Sequence, residues 1–331
     1  MAVLINDVSN TWSDLMRSEI TSGRERFPVG SIGTINLFCE VSLPSRVEAL
    51  VIDIGVGAVV DTLPQGNGFS LTCRDGHSFC LERTDEGDRD IFLKIIEDIL
   101  TQLSIWVIND VSNESIRLKF VTRMQMWQRF MSKSRSGLSK EEEIGLLGEL
   151  TVLSLWLDTD ADESIILNSW TGPDGAAQDF SCNRRAIEVK SSTSTNEFVA
   201  KIQSLEQLDY RNFEHFELVS LRFLESADVG GVSLTDMVNK ILDRISGFER
   251  SLFNSKLVDC GYLNQNDEKY LKKYTVDSIN SFLVDENFPA LVRSDIRSPI
   301  TRARYEIDLT GLAAHRDGFE EISKLLTSLS L

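Results

Sequence analysis

The stretch from Gln178 to Ser192 reads Gln-Asp-Phe-Ser-Cys-Asn-Arg-Arg-Ala-Ile-Glu-Val-Lys-Ser-Ser, and it constrains the fold more than any other part of the chain. Phe180 and Cys182 alternate with Asp179 and Ser181; Ile187 and Val189 alternate with Glu188 and Lys190. A period of two is the strand signature. Between the two runs lies Asn183-Arg184, where Asn tolerates the left-handed backbone of a tight turn. A two-residue turn pairs Cys182 with Arg185, Phe180 with Ile187 and Asp179 with Glu188. Phe180 and Ile187 then share one face, and Asp179, Glu188 and Lys190 share the other. A three-residue turn breaks this pattern, because a one-residue slip sends every side chain to the opposite face. A four-residue loop keeps it.

Opposite residues on a hairpin have Cβ atoms roughly 5 Å apart. Two carboxylates that close repel unless a cation sits between them. Lys190 supplies one positive charge, and a divalent metal supplies more. Magnesium takes one or two carboxylates together with water and phosphate oxygens. A lysine beside it can orient the attacking water and stabilise charge on phosphorus. The group suits metal-assisted phosphodiester hydrolysis.

Asp179 followed by Glu188-Val189-Lys190 resembles the PD-(D/E)XK nuclease superfamily. The wider run is similar to a bacterial group of PD-(D/E)XK proteins associated with restriction and phage-defence genes. That run comprises Gly145-Leu-Leu-Gly-Glu-Leu150, Trp170-Thr-Gly-Pro-Asp-Gly175, Gln178-Asp-Phe180 and Ile187-Glu-Val-Lys190. The core of the resemblance covers about residues 139–225. It implies an α/β fold, with a restriction-endonuclease-like core (a central mixed sheet flanked by helices) in residues 136–331. An N-terminal α+β domain for recognition or protein contact occupies residues 1–135. It also implies a magnesium- or manganese-dependent DNA endonuclease. Asp179, Glu188 and the Val189 carbonyl hold the metal, and Lys190 acts on the water or transition state. Implied partners are DNA and other defence proteins, a helicase/ATPase or a methyltransferase, with a homodimer as an option. The alternative is a non-catalytic scaffold or DNA-docking subunit.

Helix signals precede the hairpin. Ser139-Lys-Glu-Glu142 fits a capping box, and the helix is predicted to run to Leu157. Glu149 is the one charged residue from Ile144 to Leu157. A lone carboxylate in an apolar helix calls for a partner, either Lys190 or the metal; in the resembled superfamily this helix carries a site glutamate. Gly145 and Gly148 suit a helix approached closely by a strand or a substrate backbone.

Asp174 lies in a Gly-flanked turn five residues before Asp179, so it reads as a turn former and at most an accessory to the site. Ser164–Trp170 is predicted as a strand and Phe198–Leu208 as a helix. Gln203 or Gln207 of that helix offers the accessory glutamine that the superfamily places there. Asp277–Leu283 is predicted as a short helix, and His215–Leu224 as the next core strand. In the N-terminal region, strands are predicted at Thr34–Val41, Ala49–Ile54, Gly68–Cys73 and Ser78–Glu82. A helix follows over 90–104, with Asp90 as its cap.

The net charge of −17 opposes a nuclease, since phosphate binding favours basic surfaces. Cations are concentrated locally, however. Arg123, Arg129, Lys133, Arg135 and Lys140 fall in an acid-free stretch, and with Ser191 and Ser192 they are candidate nucleic-acid contacts. Arg293, Arg297, Arg302 and Arg304 form a second group. The five cysteines have no close pair, the three histidines lie far apart in the chain, and no zinc spacing is readable. No membrane-length apolar run and no basic flank to the first residues is present, so a cytoplasmic setting is expected.

Overall fold

The computed structural model describes the chain except residues 1–4, 18, 56, 58–62, 67, 86, 134–136, 227–229, 264–268 and 330–331, and the side chains of residues 132 and 133. The residues divide into two compact units, Met1–Ser136 and Gly137–Leu331.

The first unit holds α1 (Ile5–Leu15), five antiparallel strands, α2 (Arg89–Ile108) and α3 (Asn113–Lys133). The strands are β1 (Gly23–Ile32), β2 (Ile35–Leu43), β3 (Val47–Asp53), β4 (Phe69–Arg74) and β5 (Ser78–Arg83), in the order β1-β2-β3-β5-β4. Four of these were legible as strands; β1, exposed along most of its length, was not. The cap of α2 is Asp88 rather than Asp90: its side chain accepts the N–H groups of Asp90 and Ile91. Asp98 on α2 accepts from Arg123 at 2.6 and 2.8 Å and from the Trp127 indole at 2.7 Å. This locks α2 to α3.

In the second unit the Ser139 capping box forms as predicted and starts α4 (Lys140–Leu157). A short helix, α5 (Glu163–Ser169), stands where a strand was expected. The Asp162 carboxylate accepts the Ser164 and Ile165 N–H groups, and this cap prevails over the strand preference of the two isoleucines. Trp170 then bridges to Phe180 as a single antiparallel pair.

The hairpin follows as β6 (Phe180–Cys182) and β7 (Arg185–Ser192), with the register Phe180↔Ile187, Ser181↔Ala186 and Cys182↔Arg185. Asn183 and Arg184 carry φ of 48° and 62°, as a hairpin turn with two left-handed residues requires. The expected helix over 198–208 is replaced by β8 (Val199–Ile202). Phe198, Ala200 and Ile202 are buried while Val199 and Lys201 are exposed, a period of two that the leucines further on obscured.

Next come β9 (His215–Glu225), α6 (Leu234–Arg244), α7 (Gly247–Asp259) and β10 (Tyr274–Leu283). β10 covers the stretch read as a short helix, and it is held by antiparallel pairing to β9. The chain ends with β11 (Tyr305–Asp308), β12 (Arg316–Asp317) and α8 (Phe319–Leu329). The main sheet is mixed, in the order β12-β10-β9-β7-β6, with β7 and β9 parallel. β8 pairs with β11 in a separate ribbon. Ala186 on β7 packs in one apolar cluster with Phe198, Ala200 and Ile202. On the other face, a Cβ added at Gly148 of α4 would lie 1.8 Å from Ser191 Oγ. β7 is therefore covered on both faces, and Ala186, Ile187, Glu188 and Val189 are all buried. The alternation separates two interiors rather than inside from outside.

A buried carboxylate and lysine site on the mixed sheet

β6 begins at Phe180, one residue short of pairing Asp179 with Glu188. In place of a further backbone pair, the Asp179 carboxylate turns onto the strand and accepts the Val189 N–H at 2.7 Å. The Asp179 carbonyl accepts the N–H groups of Thr171 and Gly172 at 2.8 and 2.9 Å. Both main-chain polar groups of a strand residue leave along the same edge. The Val189 carbonyl therefore projects to the side on which Asp179 lies.

Glu188 has no exposed surface. Its Oε1 accepts from Lys190 Nζ at 2.6 Å, and its Oε2 is buried without a hydrogen-bond partner. Glu149 reaches the same place from α4. A Cβ placed on Gly172 would sit 3.1 Å from Asp179 Oδ1 and 3.5 Å from Glu149 Oε2, so both oxygens crowd the one glycine. Glu149 Oε2 also accepts the Trp170 indole N–H at 2.8 Å.

The electrostatics follow from three carboxyl groups around one ammonium. Burial, and then the adjacent Asp179 charge, pushes Glu188 up to about 8. Burial and Asp179 hold Glu149 well above the ordinary carboxylate range, against the pull of Trp170 and Lys190. Burial also raises Asp179, opposed by Lys190 and the Val189 N–H. For Lys190, burial works against the charge, but Glu188 and Asp179 outweigh it and raise its pKa. Such a cluster keeps protons unless another cation replaces them.

A second buried glutamate shows what a satisfied one looks like. Glu217, on β9 and also fully buried, accepts from His215 at 2.7 Å, His315 at 3.2 Å, Arg316 at 3.1 Å, and Ser281. Burial tends to raise its pKa, but these donors outweigh it and leave it lowered. Two of the three histidines, distant in sequence, thus meet at one structural carboxylate. Glu188, by contrast, has a single side-chain donor and one oxygen left over.

Among the described residues, no three His, Cys, Asp or Glu side chains are grouped as a ready metal cage. The donor set here is two carboxylates and one carbonyl, which suits a cation that keeps water and takes phosphate oxygens for its remaining positions. The orphaned Glu188 Oε2 is the structural sign of fit. Asp179, Glu188 and the Val189 carbonyl would hold such an ion.

A family model described as "Putative PD-(D/E)XK family member (DUF4420)" matches residues 8–310. The chain belongs to this family. The DUF4420 match takes in both compact units, so the first unit is part of what defines the family. No curated protein matches the chain, and no solved structure matches it.

The other predicted residues of this DUF4420 chain fall elsewhere. Asp174 is a turn residue, half-exposed, and pairs with Lys256 Nζ at 2.6 Å. Gln207 accepts the Gln203 N–H at 2.7 Å, closing a local turn, and neither glutamine is on a helix. Arg123 pairs with Asp98 at 2.6 Å. Arg129 is exposed on α3. Arg135 and the Lys133 side chain lie outside the described residues. Lys140 is exposed and pairs with Glu225 at 2.9 Å, but unlike the others it lies near the site, lining a cleft beside Lys190 together with Ser191 and Ser192. Arg293, in the second basic group, pairs with Glu206 at 2.9 Å.

Two supporting residues escaped sequence reasoning. Trp170 is buried and packs against Phe253 with the rings tilted, and its indole N–H is committed to Glu149. Lys256, 3% exposed, donates to the Trp170 carbonyl at 2.5 Å and to Asp174, and so braces the loop that carries both. The available signal was a lysine set among Leu252, Phe253, Leu257 and Val258 on one helix.

Proposed function

We propose that the protein is a divalent-metal-dependent DNA endonuclease of a bacterial restriction or phage-defence system, with magnesium or manganese as the ion. The observation that carries this reading is the convergence of Glu149, Asp179, Glu188 and Lys190 on one strand edge, with Glu188 Oε2 unpartnered. Membership of the PD-(D/E)XK-type family supports it. So does the order of elements, since α4, the Trp170 bridge, β6, β7 and β9 follow the helix and strand succession expected of a restriction-endonuclease-like core.

The ion supplies charge stabilisation and an acidified water when bound. Asp179 and Glu188 would hold it. Lys190, anchored on Glu188, lies where it can orient a water and meet a phosphate oxygen. Glu149, held by Trp170, adds a further acceptor for a proton.

Incubation of supercoiled plasmid with the protein and magnesium or manganese tests this. Nicking by the wild type, and none by Lys190→Ala or Glu188→Gln, is the expected result. Equal behaviour of wild type and Lys190→Ala overturns it. The second reading, a non-catalytic scaffold beside a helicase or methyltransferase, is favoured by the charge of −17. Calorimetric titration separates the two, because a scaffold has no reason to bind manganese through Asp179 and Glu188.

A further inference from the structure

Beside Lys190 the second unit opens into a cleft of about 360 Å³. One wall is the start of α4, with Lys140 and Glu141. The floor is the end of β7, with Lys190, Ser191, Ser192 and Thr193. The facing wall is β8, with Lys201. Three ammonium groups against one carboxylate is the reverse of the chain as a whole, which has 51 acidic and 34 basic residues. Lys201 is exposed. Its cross-strand neighbour is Glu306, yet no described residue forms an ion pair with Lys201. Lys140 has only an exposed pairing on this side, with Glu225, and such pairs contribute little. Ser191 Oγ is buried without a partner.

Deepening the nuclease reading, on which the inference rests, we propose that this cleft holds one sugar–phosphate strand. Lys140 and Lys201 contact the phosphates flanking the one at Lys190. The volume is at the lower end of small-ligand sites, roughly 300–1,000 Å³, and takes one or two nucleotides of a single strand. A duplex presents two rows of phosphates, about one charge per 1.7 Å of axis. Three lysines on a chain of −17 do not hold both rows. None of the lining residues is aromatic, so the bases are not read by stacking. Contact through phosphates positions a strand without reading its sequence. The substrate class is thus an unpaired or frayed segment, recognised independently of sequence.

The test uses the full-length Glu188→Gln protein in EDTA and short fluorescein-labelled oligonucleotides, with anisotropy followed across a salt titration. A single strand is expected to bind more tightly than its duplex. In the same background, Lys201→Ala and Lys140→Ala each weaken single-strand binding by about 3- to 10-fold for every sequence and reduce the salt slope by roughly one phosphate contact. Lys201→Arg restores binding. Lys324→Ala, on α8 and outside the cleft, changes nothing. Unaltered binding by both alanine variants overturns the proposal, and so does duplex binding equal to or tighter than the single strand. If the lysine variants behave as expected while wild type with magnesium or manganese never cuts, the cleft assignment stands and the nuclease reading falls. If wild type cuts and Lys201→Ala cuts with unchanged KM, the cleft assignment falls alone.

Discussion

The indole N–H of Trp170 donates to Glu149 Oε2 at 2.8 Å, and this bond ties the one charged residue of the apolar stretch of α4 to the loop that precedes the β6–β7 hairpin. Lys256 holds the same loop from α7, through the Trp170 carbonyl and Asp174. Trp170→Phe keeps an aromatic ring against Phe253 and deletes the donor. A hydrogen bond to a charged group is worth about 1.5–3 kcal/mol, so cleavage is expected to fall by roughly tenfold or more. Plasmid nicking rates, with melting curves run in parallel, check it.

Asp174 and Asp179 compete for the first aspartate of the motif. Asp179→Asn is expected to abolish metal binding measured by calorimetry. Asp174→Asn is expected to leave it intact while lowering stability by roughly 1–3 kcal/mol, because the buried Lys256 loses its carboxylate. Equal metal affinity in the two variants reverses the assignment.

Protons and metal compete for Glu188. Its ordinary value of 4.5 rises to about 8 in the folded chain. Between these values the native state holds a proton that the unfolded state has released, so stability of the metal-free protein falls as pH rises through that window. The raised Asp179 and Glu149 act in the same direction. An ion that displaces the proton meets less competition above pH 8. The thermal shift given by manganese is therefore expected to be larger at high pH than near pH 6. A shift that does not grow with pH counts against Glu188 as a ligand.

The two glycines of α4 are expected to respond with opposite signs. Gly148→Ala drives a methyl group into Ser191 and Val189, an overpacking that costs roughly 1–3 kcal/mol. Gly145→Ala meets nothing within 4 Å and gains helix propensity worth up to about 1 kcal/mol. Melting temperatures of the two variants against wild type decide it.

What could be read from the sequence was whatever short-range chemistry settles. The register of β6 and β7 follows from the alternation of Phe180, Ile187 and Val189 and from a two-residue turn. The start of α4 follows from Ser139 and Glu142. Elements chosen by distant partners were misread. β8 exists because β11, about a hundred residues later, pairs with it, and β10 exists because β9 does. The bond between Asp179 and the Val189 N–H arises because β6 begins only at Phe180, and nothing within the alternation marks that start. Lys256 was hidden for a similar reason, since its acceptors are on a loop far back in the chain.

The unpartnered oxygen of Glu188 also bears on how this protein responds to selection. Amide replacements at Glu188 or Glu149 relieve like-charge crowding and a desolvated carboxylate while keeping an oxygen for the Lys190 or Trp170 donor, so in the metal-free state they are the stabilising changes. Natural sites of this kind keep activity at the expense of stability. A laboratory screen that rewards only expression or heat resistance will enrich substitutions that silence the site, so activity has to be scored in the same round.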